Sequence, residues 1–193
     1  TKARFSSSGS SVHAQGGVAV ALGGDDSPER HAADTVAVGG GLTDRRVAVR
    51  VAREGTGRVV ELLRLGLRLD RDPSGRLALG REAAHSRRRV AHADGDATGA
   101  ELVRAMAEAV AASDRVDIRE NVLALDLIRH GGRVAGVLTA DREGRLDAWV
   151  APVVVVATGG IGRVYRCTTN PVEGTGDGLA MAARAGARLT DLE

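Results

Sequence analysis

The sequence predicts an α/β fold in which a parallel sheet carries an inserted antiparallel sheet. Residues 98–112 have the apolar spacing of a helix, and residues 122–128, 133–140 and 145–150 read as short strands joined by turns. Val153–Val156 are four β-branched residues in a row, the pattern of a strand buried on both faces of a parallel sheet. A helix predicted over 176–185 follows, so strand and helix alternate as in parallel α/β folds.

Start and stop signals place the elements of the first half. Residues 1–15 read as a polar loop, and 16–22 as a glycine pair that leads into an apolar run. Ser27 as N-cap, Pro28 at the first helical position and Glu29 in the first turn predict a helix to about Val38 that stops at the glycines 39–41. Residues 43–44 open a second helix with a weak point at 55–57.

The remaining elements follow from turn and capping patterns. Two short strands are expected within 67–80 around a turn at 72–75, and residues 81–97 read as irregular. Thr98 and Glu101 have the spacing of a capping box at the start of the helix over 98–112. Further strands are predicted at 116–119 and 187–189, with glycine turns at 131–132 and 141–144.

Composition excludes several classes of protein. The chain has 193 residues, a length that fits one domain or part of a larger one, and its 43% hydrophobic residues exclude a disordered chain. A net charge of +2 produces only a weak electrostatic field, and only three aromatic residues are present to stack on bases. Both observations count against a nucleic-acid-binding protein. Cys167 is the one cysteine, which excludes an internal disulfide framework and a cysteine-cluster metal site and favours a reducing cytoplasm. No segment has the roughly 18 apolar residues of a membrane helix, and none reads as a signal peptide.

Three glycine-containing clusters are candidates for ligand binding. Residues 10–17 end in a glycine pair that would let the backbone approach a ligand closely, or form a surface loop. Residues 158–160 follow the predicted buried strand, where α/β sheets bind ligands, or form a tight turn. Asp177 follows Thr168–Pro171 at a helix start, where a carboxylate would bind ligand hydroxyls or cap the helix.

A fourth cluster combines an acid and a histidine with arginines. Residues 81–89 read REAAHSRRR, and an arginine fork matches one carboxylate, so the segment would suit a dicarboxylate ligand. The alternative is a solvated run of charge.

In this order the clusters resemble the flavoprotein family of succinate dehydrogenase, fumarate reductase and L-aspartate oxidase. The segments that carry the resemblance are 14–17 (AQGG), His92 with 96–99 (DATG), 157–160 (ATGG), 168–171 (TTNP) and 176–178 (GDG). The ordered set covers nearly the whole chain. It implies a fragment of a Rossmann-like FAD-binding domain, residues 1–193 forming a single partial domain.

Two features point to the aspartate oxidase branch. Covalent succinate dehydrogenases carry a flavin-linked histidine where this chain has Ser10, so the resemblance implies non-covalent FAD. Residues 81–89 are similar to the R-E-G-G-H-S-x-R-R segment of aspartate oxidases, whose glutamate lies at the substrate site. Here Ala83 and Ala84 replace two glycines, and their added methyl groups are expected to shift the loop that carries Glu82.

The resemblance implies a role for each matching residue. Glu82 would contact the substrate, Asp177 would hold the sugar-like chain of the flavin, and Asn121 and Val122 would lie against the adenine through backbone groups. Thr158, Gly159 and Gly160 would pass close to the cofactor. The segment expected to wrap the FAD consists of Ser10, Ser11, Val12, His13, Ala14, Gln15, Gly16 and Gly17.

The resemblance also implies parts that this sequence lacks. The family opens with a strand and a G-x-G-x-x-G loop, and continues into an H-P-T segment and a capping domain that holds the proton-accepting arginine. No catalytic residue or metal site is assigned in 1–193, and the fragment alone is expected to be inactive. The implied reaction is oxidation of L-aspartate to iminoaspartate, with oxygen or fumarate as acceptor, at the start of NAD synthesis, with quinolinate synthase as a partner.

Two other functions remain open from the sequence. A fumarate reductase or succinate dehydrogenase flavoprotein subunit shares every motif except the Glu82 segment. From another class, an arginine-rich binding module without catalysis rests only on Arg87–Arg89. A truncated product with no function is the third alternative.

Overall fold

The computed structural model describes residues 1–190 and residue 192. Its helices are α1 (Pro28–Val38), α2 (Arg45–Arg64), α3 (Thr98–Ala111) and α4 (Asp177–Arg184). Its strands are β1 (Val18–Ala19), β2 (Leu79–Gly80), β3 (Val90–Ala91), β4 (Leu123–His130), β5 (Arg133–Ala140) and β6 (Leu146–Val150). Short 3-10 helices cover Ser10–His13 and Gly162–Val164. The mixed α/β class predicted from the sequence is confirmed.

The chain divides into two compact units. Residues 11–114 form the first, here called the helical unit, and residues 1–10 with those from 115 onward form the second, the sheet unit. The prediction of one partial domain over 1–193 stays a prediction.

In the helical unit, the caps that the sequence predicted set the helix starts. The Ser27 side chain accepts from the Arg30 amide at the start of α1, and Asp44 accepts from the amides of Arg46 and Val47 at the start of α2. Helix α2 continues through Gly55 and Gly57 without a break, so the predicted weak point is wrong. Packing of its apolar face overrides the low helix propensity of glycine.

The core of the helical unit surrounds a small antiparallel sheet of order β1-β3-β2. Val90 and Ala91 of the central strand are buried, although the sequence read 81–97 as irregular. A two-residue strand is too short to show a period of alternation, so pattern analysis could not detect β3. The buried core cluster comprises Val20, Val59, Leu67, Leu69, Ala91, Ala93 and Ala105.

In the sheet unit, the predicted hairpins are confirmed. Strands β4, β5 and β6 form an antiparallel sheet in that order, and the β5–β6 turn lies at residues 141–144 as expected. A Cβ at Gly136 would lie 2.1 Å from the Trp149 carbonyl oxygen, so this strand position requires glycine. Helix α4 packs closely against the segment that contains Thr158, because a Cβ at Gly178 would lie 2.1 Å from Thr158 Oγ1.

The predicted buried strand at Val153–Val156 is wrong for this chain. None of these residues lies in a strand, and Val155 is 83% exposed. Every strand pair among the described residues is antiparallel, so no parallel neighbour covers this run. A β-branched run needs adjacent strands to become a buried strand.

Three local predictions are also wrong. Thr98 does not cap α3; its hydroxyl accepts from the Ala93 amide, and the side chain of Glu101 accepts from Arg68 and Arg104. Residues 116–119 and 187–189 form no strands.

In the part of the chain that the structure describes, no helix has the length and apolarity to cross a bilayer.

Candidate functional site

A cavity of about 630 Å³ lies within the sheet unit. This volume is within the range of ligand pockets, roughly 300–1,000 Å³. The cavity wall combines cations, carboxylates and apolar groups, among them Lys2, Arg4, Phe5, Arg119, Val122, Trp149, Thr158, Glu173 and Asp177. A wall of this chemistry suits a ligand that carries both phosphate groups and hydroxyls.

Lys2 and Asp177 form an ion pair in the wall of this cavity. Asp177 opens α4, directly after Gly176, whose φ of 78° is in the left-handed region. Burial opposes ionisation of Asp177, but hydrogen bonds from Lys2 and Thr175 outweigh it and lower the pKa of the carboxyl. The carboxylate is therefore charged at neutral pH and available to accept from ligand hydroxyls.

The structure places Asn121 and Val122 differently from each other. Val122 lines the cavity, but its amide donates to the Thr1 carbonyl at 2.9 Å. Asn121 has φ 58°, and its side-chain oxygen accepts from Arg142 at 2.6 Å. Thr158 lines the cavity as well, and its hydroxyl accepts from the Gly178 amide.

The segment from Ser10 to Gly17 has no buried residue. In the helical unit, the Gly99 amide at the start of α3 donates to the Ala14 carbonyl at 2.8 Å and supports this segment. Gln15 donates to Asp96 at 3.1 Å. The two glycines differ: a Cβ at Gly16 would meet nothing within 4 Å, whereas one at Gly17 would lie 2.7 Å from His92 Nε2. Gly16 therefore leaves room for a ligand, and Gly17 allows close packing against β3.

Glu82 lies on an exposed loop of the helical unit, with its side chain 50% exposed. Its Oε1 is 3.1 Å from His92 Nε2. Two residues on, Ala84 has φ 69°, a conformation that favours glycine. The loop is fixed to α1 at Ser86, whose amide and hydroxyl both donate to Asp34 Oδ2 at 2.8 Å.

Arg89, the last of the three consecutive arginines, is completely buried. It donates two hydrogen bonds to Asp26 and one to Asp34, and its Nη1 is 3.3 Å from His85 Nδ1. Burial opposes ionisation of Asp34, but the bonds from Ser86 and Arg89 lower its pKa to about 2. Arg89 therefore belongs to a buried ion-pair cluster beneath the loop and is not part of a solvated charge run.

The structure groups the predicted site residues by unit. Val122, Thr158 and Asp177 share the cavity of the sheet unit, and Ser11–Gly17 and Glu82 belong to the helical unit. Sequence reasoning gave no site role to Lys2, His92 or Asp34, which only tertiary contacts reveal. Among residues 1–190 and 192, no cluster of histidine, cysteine or acidic residues could hold a metal ion.

Comparison with known families and sequences gives consistent results. The model of the family described as FAD binding domain matches residues 2–193. An L-aspartate oxidase of Streptomyces coelicolor is 50% identical over all of this chain and 34% of its own length. One of Mycobacterium tuberculosis is 45% identical over 94% of this chain and 34% of its own length. The chain thus spans about a third of the length of these curated relatives.

Two solved structures have the same fold over nearly the whole chain. Sdh1 of Mycobacterium smegmatis superposes with a TM-score of 0.90 at 33% identity, over 96% of this chain and 33% of that one. FrdA of a mutant E. coli quinol fumarate reductase superposes with a TM-score of 0.89 at 30% identity, over 95% of this chain and 31% of that one.

Proposed function

The chain belongs to the FAD binding domain family, and from that premise we propose that it is the FAD-binding part of an L-aspartate oxidase. Glu82 is the observation that supports this substrate. Its carboxylate is half exposed, on a segment that resembles the substrate loop of aspartate oxidases, within a chain up to 50% identical to them. A carboxylate suits the ammonium group of an amino acid, which succinate lacks.

The residues of the sheet unit fit polar groups of FAD. Lys2, Arg4 and Arg119 supply cationic groups to the cavity, which suit the pyrophosphate, and Asp177 supplies a charged acceptor for the hydroxyls of the flavin's sugar-like chain. Thr158 and Val122 would lie along the same wall. Residues Ser10–Gly17 would wrap the cofactor, since Gly16 leaves open space beside its backbone. The absence of a flavin-linking histidine at Ser10 supports non-covalent binding.

In the proposed reaction this chain supplies binding and orientation, and the cofactor supplies the redox chemistry. FAD, when bound, would supply the hydride acceptor for oxidation at the α-carbon of L-aspartate, with oxygen or fumarate as the final electron acceptor. Glu82 would accept hydrogen bonds from the substrate ammonium and orient the α-carbon. No proton-accepting base is assigned among residues 1–193, so these residues alone are expected not to turn over L-aspartate.

The enzyme would act in the cytoplasm and would catalyse the first step of NAD synthesis. Its product, iminoaspartate, would be consumed by a quinolinate synthase.

A second candidate is the flavoprotein subunit of a fumarate reductase or succinate dehydrogenase. The high TM-scores to both enzymes favour it. Glu82 distinguishes the two candidates, because neither fumarate nor succinate has an ammonium group. The arginine-rich binding module loses support, since Arg89 is buried between Asp26 and Asp34 and Arg87 pairs with Asp25.

The test compares L-aspartate oxidation with fumarate reduction in the full-length protein that carries this chain. We expect the wild type to oxidise L-aspartate and Glu82→Gln to lower kcat/KM for L-aspartate by roughly 10- to 100-fold, the value of a hydrogen bond to a charged group. Fumarate reduction should change far less. Glu54→Gln is the matched control, since Glu54 is an exposed carboxylate on α2 that pairs only with Arg50 among the described residues. Equal losses on both substrates would favour the second candidate.

A further inference from the structure

His92 follows the central strand β3 and is held in one place by its neighbours. Its carbonyl oxygen accepts from the Asp70 amide at 2.8 Å. Its ring occupies space that two glycines leave: a Cβ at Gly17 would lie 2.7 Å from Nε2, and one at Gly80 would lie 3.5 Å from Cε1. Since any larger residue at Gly17 would displace the ring, the packing fixes the direction of the imidazole.

The fixed imidazole contacts the carboxylate of Glu82. His92 Nε2 is 3.1 Å from Glu82 Oε1, and the two side chains are 24% and 50% exposed. Among the residues that the structure describes, His92 is the one side chain paired with this carboxylate. One carboxylate oxygen is thus held by the protein, and Oε2 is left to accept a hydrogen bond from a ligand.

We propose that His92 is a positioning residue that orients Glu82 toward the ammonium group of the substrate. This inference rests on the proposed function. It gives a role to His92, which follows β3, whereas Glu82 lies on the loop after β2. Without His92, Glu82 stays on a loop with no other side-chain partner, and its free rotamers must be restricted each time the substrate binds. Because Gly17 packs against the same ring, His92 also links the predicted cofactor segment to the predicted substrate carboxylate.

The role predicts a change in KM rather than in kcat. In the full-length protein, His92→Ala should raise the KM for L-aspartate about tenfold and leave kcat within about threefold. Fumarate has no ammonium group, so the KM for fumarate and the flavin content of the protein should stay at wild-type values. His92→Gln keeps a donor that reaches Glu82 and should restore most of the affinity. His130→Gln, an exposed histidine at the end of β4, is the matched control.

A double-mutant cycle separates positioning from a structural effect. If His92 acts through Glu82, then His92→Ala added to Glu82→Gln should change the KM for L-aspartate by less than about twofold. Additive effects, a parallel loss of fumarate reduction, or a failure of His92→Gln to rescue would each overturn the proposal. A wild type that does not oxidise L-aspartate would overturn the proposed function and this role with it, whereas an active wild type with an additive cycle would overturn this role alone.

Discussion

Ala84 occupies a backbone conformation that costs an L-residue free energy. Its φ is 69°, and by the sequence resemblance to aspartate oxidases it occupies the position of the second of two glycines. A left-handed conformation costs a residue with a Cβ roughly 1–2 kcal/mol, which glycine avoids. The contacts of Ser86 with Asp34 hold the loop in place despite this strain.

Replacing Ala84 with glycine should therefore stabilise the protein. We expect Ala84→Gly to raise the free energy of unfolding by about 1 kcal/mol, measured by urea denaturation. Ala83→Gly is the control, because Ala83 has a negative φ and no backbone strain to relieve. Glycine there only raises the entropy of the unfolded chain, so this variant should be slightly less stable than the wild type. The explanation is wrong if the two variants have the same stability. The KM of Ala84→Gly for L-aspartate then tests whether the alanines displace Glu82.

Single residues also show how much of the candidate site the sequence could predict. Glu82 and the glycine pair after Gln15 belong to short contiguous motifs, so the resemblance to a known family identifies them from the sequence. Lys2 meets Asp177 from 175 positions away, and His92 meets Glu82 because β2 pairs with β3. These contacts depend on tertiary structure and leave no periodic pattern in the chain.

At the scale of elements, local signals were sufficient where local interactions decide the structure. The first turns of α1 and α2 start at capping side chains within three residues of the amides they bind. The prediction of a strand at Val153–Val156 is wrong because a strand also needs hydrogen-bonded neighbours, which a local run of β-branched residues does not supply. Thr98 and Glu101 failed as a capping box because both side chains bind more distant partners, namely Ala93 and Arg68.

The docking of α4 depends on a glycine, and this can be measured. A Cβ at Gly178 would lie 2.1 Å from Thr158 Oγ1 and 2.7 Å from Val156 Cγ1, so Gly178→Ala must displace the helix or the segment beneath it. We expect a loss of about 1–3 kcal/mol in the free energy of unfolding, the usual cost of overpacking, and weaker FAD binding.

A second helical glycine provides the matched control. A Cβ at Gly55, within α2, would meet nothing within 4 Å. Gly55→Ala should therefore stabilise the protein by about 0.5–1 kcal/mol through helix propensity alone. Denaturation of both variants in parallel checks the pair. A Gly178→Ala protein as stable as wild type would mean that α4 does not pack closely on Thr158.

At the scale of the whole molecule, the many arginines are balanced by local acids. Arg104 binds both Glu101 and Glu108 on α3, and Arg184 binds Asp126 on β4. The 27 basic and 25 acidic residues leave a net charge of only +2, and pairs such as these neutralise the arginines locally, so no strong field for nucleic acid remains. Lys2 follows the same pattern, because it pairs with Asp177 in the cavity wall.

The mode of flavin attachment is the property of the whole holoprotein that this chain predicts most directly. Ser10 stands where covalent relatives have their flavin-linked histidine, and His13 lies three residues further along on an exposed 3-10 helix. A serine hydroxyl does not replace the imidazole nitrogen in that bond, so contacts alone must hold the FAD. Trichloroacetic acid should therefore release all flavin absorbance from the full-length holoprotein into the supernatant. A succinate dehydrogenase with covalent flavin, treated alongside, should keep its flavin in the pellet. Flavin fluorescence on the denatured polypeptide of this protein would contradict non-covalent binding and direct attention to His13 as the attachment point.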